Sequence, residues 1–442
     1  MSMVVAKIDW RQLYTFTSRQ ALLGFCFDGI ERLTKEFSEE LKQNPMGRDL
    51  LMTWMGKAQQ IRRQNMKVNA VAGKLYSKFR EDGLRCCILK GQGNALMYPN
   101  PCSRTPGDID VWVNASHEQI TEYAQKHFEI GDDIRFHHLE TSIDGVPVEL
   151  HFFPGIMNNP IYNVRLQKWF KRNADLQCSN VVSLPDGIGE IAIPTTAFNV
   201  VYQLTHLYHH FFDEGIGMRQ IIDYFLVVND FSKNVFLDTD FSNHPVNFSN
   251  HPVPLSKEGS TFSPSPSSSG SGDVTAPSRC SEPLRSKDGG PSKVSPDCAG
   301  WDRRGVSGDI ASDASVISAF TTDSSASTAL DVVQRELKYL GLWKFAGAVM
   351  YVLHETLGLP EEKMIVPVDE KRGRLLLAEI LDGGNFGRHF TKYAGFTHQS
   401  MGKKYFLKIW RNMHFVRYYS AEALCEPLFR TWHFFWRLKY KK

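Results

Sequence analysis

The sequence predicts an α+β protein: a small mixed core of strands and helices embedded in mainly helical N- and C-terminal regions, with a long disordered insert in the second of them. Three observations predict it. Apolar residues recur at three–four spacing up to about Asp82 and again from Thr195, as on helices that bury one face. Between those limits the period shortens to two, the period of strands. From about Ser232 to Ser327 the chain turns to Ser, Pro, Gly, Asp and Thr, too poor in large apolar residues to offset its ordering entropy. The regions are therefore 1–82 (helical), 83–193 (core), 194–231 (helical, first part), 232–327 (insert) and 328–442 (helical, second part).

Taken in order, Phe16 to Leu33 and Leu50 to Phe79 read as helices, and Gly83 suits a helix stop. Cys86-Cys87-Ile88-Leu89 reads as a buried strand. It runs into the turn Lys90-Gly91-Gln92-Gly93 and a short helix-like segment. The next strand carries Asp108-Ile109-Asp110-Val111-Trp112-Val113. Residues two apart on a strand share a face, so the two carboxylates stand together, opposite Ile109, Val111 and Val113. Val146-Pro147-Val148-Glu149-Leu150-His151-Phe152 alternates in the same way, with Glu149 and His151 on one face. If this strand lies beside the first, Glu149 stands roughly 5 Å from the aspartate pair.

Two carboxylates on one face of a buried strand cost stability unless a cation neutralises them. Hard oxygen donors beside a Gly-rich turn suit Mg²⁺ and a phosphate chain. Three acids on neighbouring strands can hold two such ions about 4 Å apart, the clamp used in phosphoryl and nucleotidyl transfer. Backbone N–H groups of the turn suit phosphate oxygens, as does the fork of Arg104.

The helix Asn199–Asp213 carries Asn199, Gln203, His206, His210 and Asp213 as one polar stripe among Val, Leu, Tyr and Phe. That stripe reads either as a cleft wall, as a structural hydrogen-bond network, or as a metal site on His206 and His210. Arg219 and Asp223, four apart on the next helix, suit an ion pair or the same cleft. The insert holds a tandem duplication, Phe241–Asn247 followed by Phe248–Pro254, with neither helical nor strand period. Helices return at Leu330–Leu340, closed by Gly341, then at Trp343–Leu357, Lys371–Leu381, Tyr405–Tyr419 and Pro427–Tyr440. The last mixes basic and aromatic residues. It suits a terminal helix docked by its aromatic face, a stacking platform for single-stranded nucleic acid, or an anionic membrane surface.

A formal net charge of +3 over 442 residues implies no broad nucleic-acid field. Eight cysteines without a Cys-x-x-Cys pattern read as reduced intracellular thiols rather than a disulfide or zinc framework. No signal-peptide pattern and no membrane span are legible, so a cytoplasmic protein is expected.

The stretches Leu89-Lys90-Gly91, Tyr98-Pro99, Arg104-Thr105-Pro106-Gly107-Asp108-Ile109-Asp110 and Val148-Glu149-Leu150-His151 resemble the DNA polymerase β-like nucleotidyltransferase superfamily. Within it, they look like a bacterial family of uncharacterised nucleotidyltransferases. His206, Gly217-Met218-Arg219-Gln220 with Asp223, and Leu381-Asp382-Gly383-Gly384-Asn385-Phe386-Gly387 extend the resemblance. One residue departs from it: Gln92 follows Gly91 where a Ser or Gly is usual, which removes a hydroxyl for the triphosphate. The resemblance implies Mg²⁺-dependent transfer of a nucleoside monophosphate from an NTP such as ATP to a hydroxyl of a small molecule, sugar or protein. Asp108, Asp110 and Glu149 would bind two Mg²⁺ ions. Lys90, Gly91, Gln92, Gly93 and Arg104 would hold phosphate, and His151, His206, His210, Arg219 and Asp223 would line the cleft. The alternatives are a catalytically weak nucleotide-binding or regulatory module and a metal-dependent phosphohydrolase built on His206 and His210.

Overall fold

The computed structural model describes residues 7–240, 328–390 and 401–440. The expected insert at 232–327 and its tandem duplication lie almost entirely outside the described residues.

Five strands form one mixed sheet in the order β1-β2-β5-β4-β3: β1 (Cys86–Leu89), β2 (Ile109–Val113), β3 (Ile130–Ile134), β4 (His138–Ile143) and β5 (Val146–His151). β1 runs antiparallel to β2, and β2 parallel to β5. A two-stranded ribbon, β6 (Val181–Ser183) with β7 (Glu190–Ala192), stands apart from it. Four helices precede the sheet: α1 (Trp10–Arg19), α2 (Leu23–Glu36), α3 (Ser38–Gln43) and α4 (Arg48–Glu81). Within or beside it come α5 (Gly91–Ala95), α6 (His117–His127) and α7 (Pro160–Gln177). Then follow α8 (Thr196–Asp213), α9 (Met218–Asp240), α10 (Ala329–Tyr339), α11 (Trp343–Leu357), α12 (Glu370–Gly383), α13 (Met401–His414), α14 (Val416–Ala423) and α15 (Glu426–Tyr440).

Alternation along the strands assigns each face of the sheet its own core. Cys86, Ile88, Ile109, Val111, Val113, Val146, Val148 and Leu150 pack with Val68, Leu75 and Phe79 of α4. Cys87, Leu89 and Trp112 point the other way, into a larger core built from α7–α12. Both faces are covered, so β1 and β2 are buried at every position. The adjacent thiols of Cys86 and Cys87 therefore serve opposite cores, and all six described cysteines are free.

Two helices expected to be continuous are broken. The stretch Phe16–Leu33 divides at Gln20–Leu22, where Ala21 takes φ 56° and the Gln20 amide leaves the helix to bond Ile380 and Met218 backbone. The stretch Tyr405–Tyr419 divides at Phe415, whose buried ring packs 4.5 Å from that of Phe211. Burying those side chains outweighs helical continuity. No helix among the described residues is long and apolar enough to cross a membrane.

Candidate active site

Asp110 pairs with Glu149 in the β2–β5 register, and both side chains face the α8 side of the sheet. Asp108 stands just before β2, exposed at the mouth of a cleft of about 480 Å³. Asp110 lies deeper, only 3% exposed. Two cations meet it. Lys90 Nζ is 2.9 Å from Asp110 Oδ1, and His151 Nε2 is 3.0 Å from the same oxygen. His151 Nε2 also lies 3.2 Å from Glu149 Oε2.

These contacts set the charge states. Burial pushes the Asp110 carboxyl up, but Lys90 and His151 outweigh it and hold the group well below the usual range. Burial works against the charged form of His151, yet its contacts with Asp110 and Glu149 lift it to about 9. Asp108 has no ion-pair partner among the described residues. Repulsion from Asp110, then burial and Glu149, raise it to about 6. Lys90 and His151 thus make their ion pairs with the inner carboxylates, and the outer one has none of its own.

Lys90 owes its position to backbone strain. It holds φ 51°, rare for a side chain with Cβ, immediately before α5. Its ammonium also lies 3.2 Å from His206 Nε2. Burial first, then Lys90 and His210, hold His206 well below its ordinary value, so the neutral ring accepts that hydrogen bond. His210 is lowered to about 3 by burial and His209. The expected stripe on α8 therefore divides. Gln203 bonds both Asn94 and Asn199 and fastens α5 to α8, whereas His206 and His210 line the cleft. Asp213 ends the stripe as an anchor for Lys408 and Arg430, at 2.9 and 2.8 Å.

Three expectations for the phosphate-binding side need correction. Gln92 is 3% exposed and turns its amide to Asn69 of α4. Gly93 faces Ile193, with room for little more than hydrogen, so neither residue reaches the cleft, whereas Gly91 does. A five-residue helix has one inner face, and these two lie on it. Arg104 borders the cleft, but its fork is closed: Nε and Nη2 donate to Asp223 at 2.8 and 2.7 Å. Asp223, which also accepts from Tyr98 at 2.7 Å, borders the cleft as well, with its carboxylate held in this buried network.

Arg219 is placed otherwise. It lines the cleft, donates to Thr105 O at 2.9 Å, and keeps Nε without a hydrogen-bond partner. Burial and neighbouring Arg104 lower its pKa. Its guanidinium lies 5.6 Å from the ring centre of Phe386, which itself holds φ 54° and stands 5.3 Å from the His210 ring.

Sequence reasoning missed His138. It sits across from His151 in the β4–β5 register, 2% exposed and 3.3 Å from Glu149 Oε2, out of line for a hydrogen bond. The alternation His138-Leu139-Glu140 carried the signal, on a strand whose pairing was not read. Side chains able to converge on an ion include Asp110, Glu149 and His151, and His138, Glu140 and Glu149. His206 and His210 appear in no such group among the described residues.

The mixed sheet thus sets one aspartate of β2, and another just before it, beside a β5 glutamate, under a helical wall bearing histidine and arginine. The family described as uncharacterised nucleotidyltransferase matches residues 6–241, and the chain belongs to it. Among solved structures, an antigenic nucleotidyltransferase-like protein from Paracoccidioides brasiliensis is 17% identical. The match covers 40% of this chain and 85% of that one, with a TM-score of 0.25. No curated protein matches.

Proposed function

We propose that the protein transfers a nucleoside monophosphate from an NTP to a hydroxyl-bearing acceptor, releasing pyrophosphate, with Mg²⁺ held by Asp108, Asp110 and Glu149. The observation that carries this reading is the parallel register Asp110–Glu149, with Asp108 beside it, its carboxyl raised by their repulsion. The donor set fits the ion: three hard carboxylate oxygens, one of them without an ion-pair partner among the described residues. When bound, Mg²⁺ offsets charge on the phosphates and eases ionisation of the acceptor hydroxyl.

The chain's own residues then have distinct tasks. His151, charged at neutral pH, keeps Asp110 and Glu149 ionised and aligned. Lys90 and the backbone at Gly91 face the phosphates from one side. Arg219, rather than Arg104, meets them from the other, since its Nε is not engaged within the chain. Phe386 offers the base an aromatic face beside His210.

The alternative is nucleotide binding without turnover, favoured by Gln92 in place of a hydroxyl and by its inward-turned amide. The phosphohydrolase reading loses support, because the Lys90 ammonium already occupies the accepting nitrogen of His206. Incubation with each α-labelled NTP and Mg²⁺, with and without cell lysate, tests the proposal. Label transfer that disappears in Asp110→Asn is the expected result. Tight NTP binding without transfer for any base and any lysate would select the alternative.

A further inference from the structure

The C-terminal helices carry a surface that the cleft does not use. Residues 401–442 hold ten lysines and arginines against two acids, a balance of +8 in a chain whose formal total is +3. Both acids, Glu422 and Glu426, are buried, at 1% and 2% exposure. Asp213 and Glu379 draw Lys408, Arg430 and Arg411 inward, and the segment brings no acid to its own surface.

Large apolar side chains stand among those charges. On α13, Phe406, Trp410 and Met413 are 66%, 46% and 49% exposed. On α15, Leu428, Trp432 and Phe435 are 72%, 46% and 63% exposed. Each set follows the spacing i, i+4, i+7 (i, i+4, i+7 is one stripe of a helix). The inward sides of both helices are fixed by one carboxylate, since Lys408 and Arg430 both reach Asp213. Each of these cations lies two residues beyond the first member of its stripe, roughly 200° around the helix. Both stripes thus point away from Asp213, with Trp432 at the edge of the α15 stripe, its ring 5.0 Å from that of Phe136. Lys403 is exposed on α13, and Arg417 is exposed on α14 between the two.

We propose that α13 and α15 dock the protein on an anionic lipid surface, their stripes entering the interfacial layer and the basic residues meeting the headgroups. Charge selects this occupant. Aromatic and aliphatic stripes between lysines and arginines, with no surface acid, match a lipid layer that is apolar within and negative at its face. The proposal is independent of the reaction in the cleft.

The test uses the full-length protein and sedimentation with vesicles of phosphatidylcholine, with or without phosphatidylserine. Binding is expected to be at least roughly tenfold stronger on the anionic vesicles and to weaken with salt, since each basic residue near such a surface adds about 1 kcal/mol. The Trp emission should shift to the blue on binding. Phe406→Ser with Phe435→Ser, and separately Lys403→Glu with Arg417→Glu, should each reduce binding about tenfold while leaving the melting curve in place. Four outcomes overturn the proposal: no binding, equal binding to neutral vesicles, unchanged binding in both variants, or a dimer dissolved by the stripe substitutions without any vesicle binding. Preferential binding of single-stranded RNA by the same face also overturns it.

Discussion

Asp108 and Asp110 differ by two positions and face the same way, yet removing their charges should have opposite effects on stability. Asp110 is buried against Lys90 and His151, so Asp110→Asn leaves two cations short of their partner. It should lower stability by roughly 1–3 kcal/mol. Asp108 has no ion-pair partner among the described residues and is repelled by Asp110 and Glu149, and its raised carboxyl means that stability is lost as pH rises through about 6. In EDTA at pH 8, Asp108→Asn should therefore be slightly more stable than the native protein. Its exposure to water screens the repulsion, so the gain should stay within about 1 kcal/mol. Urea midpoints of the two variants check this, and both should lack label transfer. His151 gives the complementary pH dependence. Its folded value of about 9 lies above the ordinary 6.5, so its contribution is complete below 6.5 and disappears as pH climbs through 9. In EDTA, the native protein should lose on the order of 2 kcal/mol across that window, and His151→Gln should lose less. Equal pH profiles would contradict the ion pairs described here. At this scale the sequence was informative about identity and poor on engagement. Periodicity placed Asp108, Asp110, Glu149 and His151 on one face. Nothing local said that Asp223 would close the fork of Arg104, because those residues meet from elements 119 positions apart.

At the scale of elements, β1, β2 and β5 were legible because two-residue alternation separates the faces of a sheet wherever one face must be buried. The β3–β4 pair was not singled out. The breaks at Gln20–Leu22 and Phe415 were hidden for another reason: each is imposed by a partner distant in sequence, Ile380 and Met218 for the first, the Phe211 ring for the second. Helix contacts of the same kind explain Gly373. In α12 it faces Tyr351 of α11, and a Cβ there would overlap the tyrosine side chain. Both helices feed the large core through Val349, Leu353, Leu376 and Ile380, so neither can withdraw freely. Gly373→Ala gains helix propensity of about 1 kcal/mol but should still destabilise, since overpacking costs roughly 1–3 kcal/mol or more. A melting temperature at or above that of the native protein would show that the two helices can separate without loss.

For the whole molecule, the larger core draws on helices from both sides of residues 241–327: Ile221 and Val228 of α9 meet Phe345 and Val349 of α11 within one cluster. The segment between them has the composition of a chain that cannot build a core of its own. Replacing 241–327 with a short Gly/Ser linker should leave the urea midpoint and any transferase activity unchanged. The replacement should begin no earlier, because Asn234 reaches Thr196 Oγ1 at 3.4 Å, and end before Thr328, whose hydroxyl caps α10. Loss of soluble protein on this exchange would assign the segment a structural part. Composition made this division readable, whereas the path by which both helical parts enter one core became visible only in three dimensions.

The parallel pairing of β2 with β5 also constrains the order in which the chain can fold. Asp110 and Glu149 cannot become neighbours through a tight turn. The residues between them must first form α6 and the β3–β4 hairpin, which carries the chain back to start β5 in the same direction as β2. Antiparallel pairs such as β4–β5 close short loops and form early, and a parallel pair waits on its crossover. Glu149 is thus kept from the two aspartates until the surrounding scaffold can hold all three. The same pairing that brings Glu149 in on β5 brings His151 with it, and Lys90 follows directly after β1, so the cluster of negative charge assembles together with its counterions.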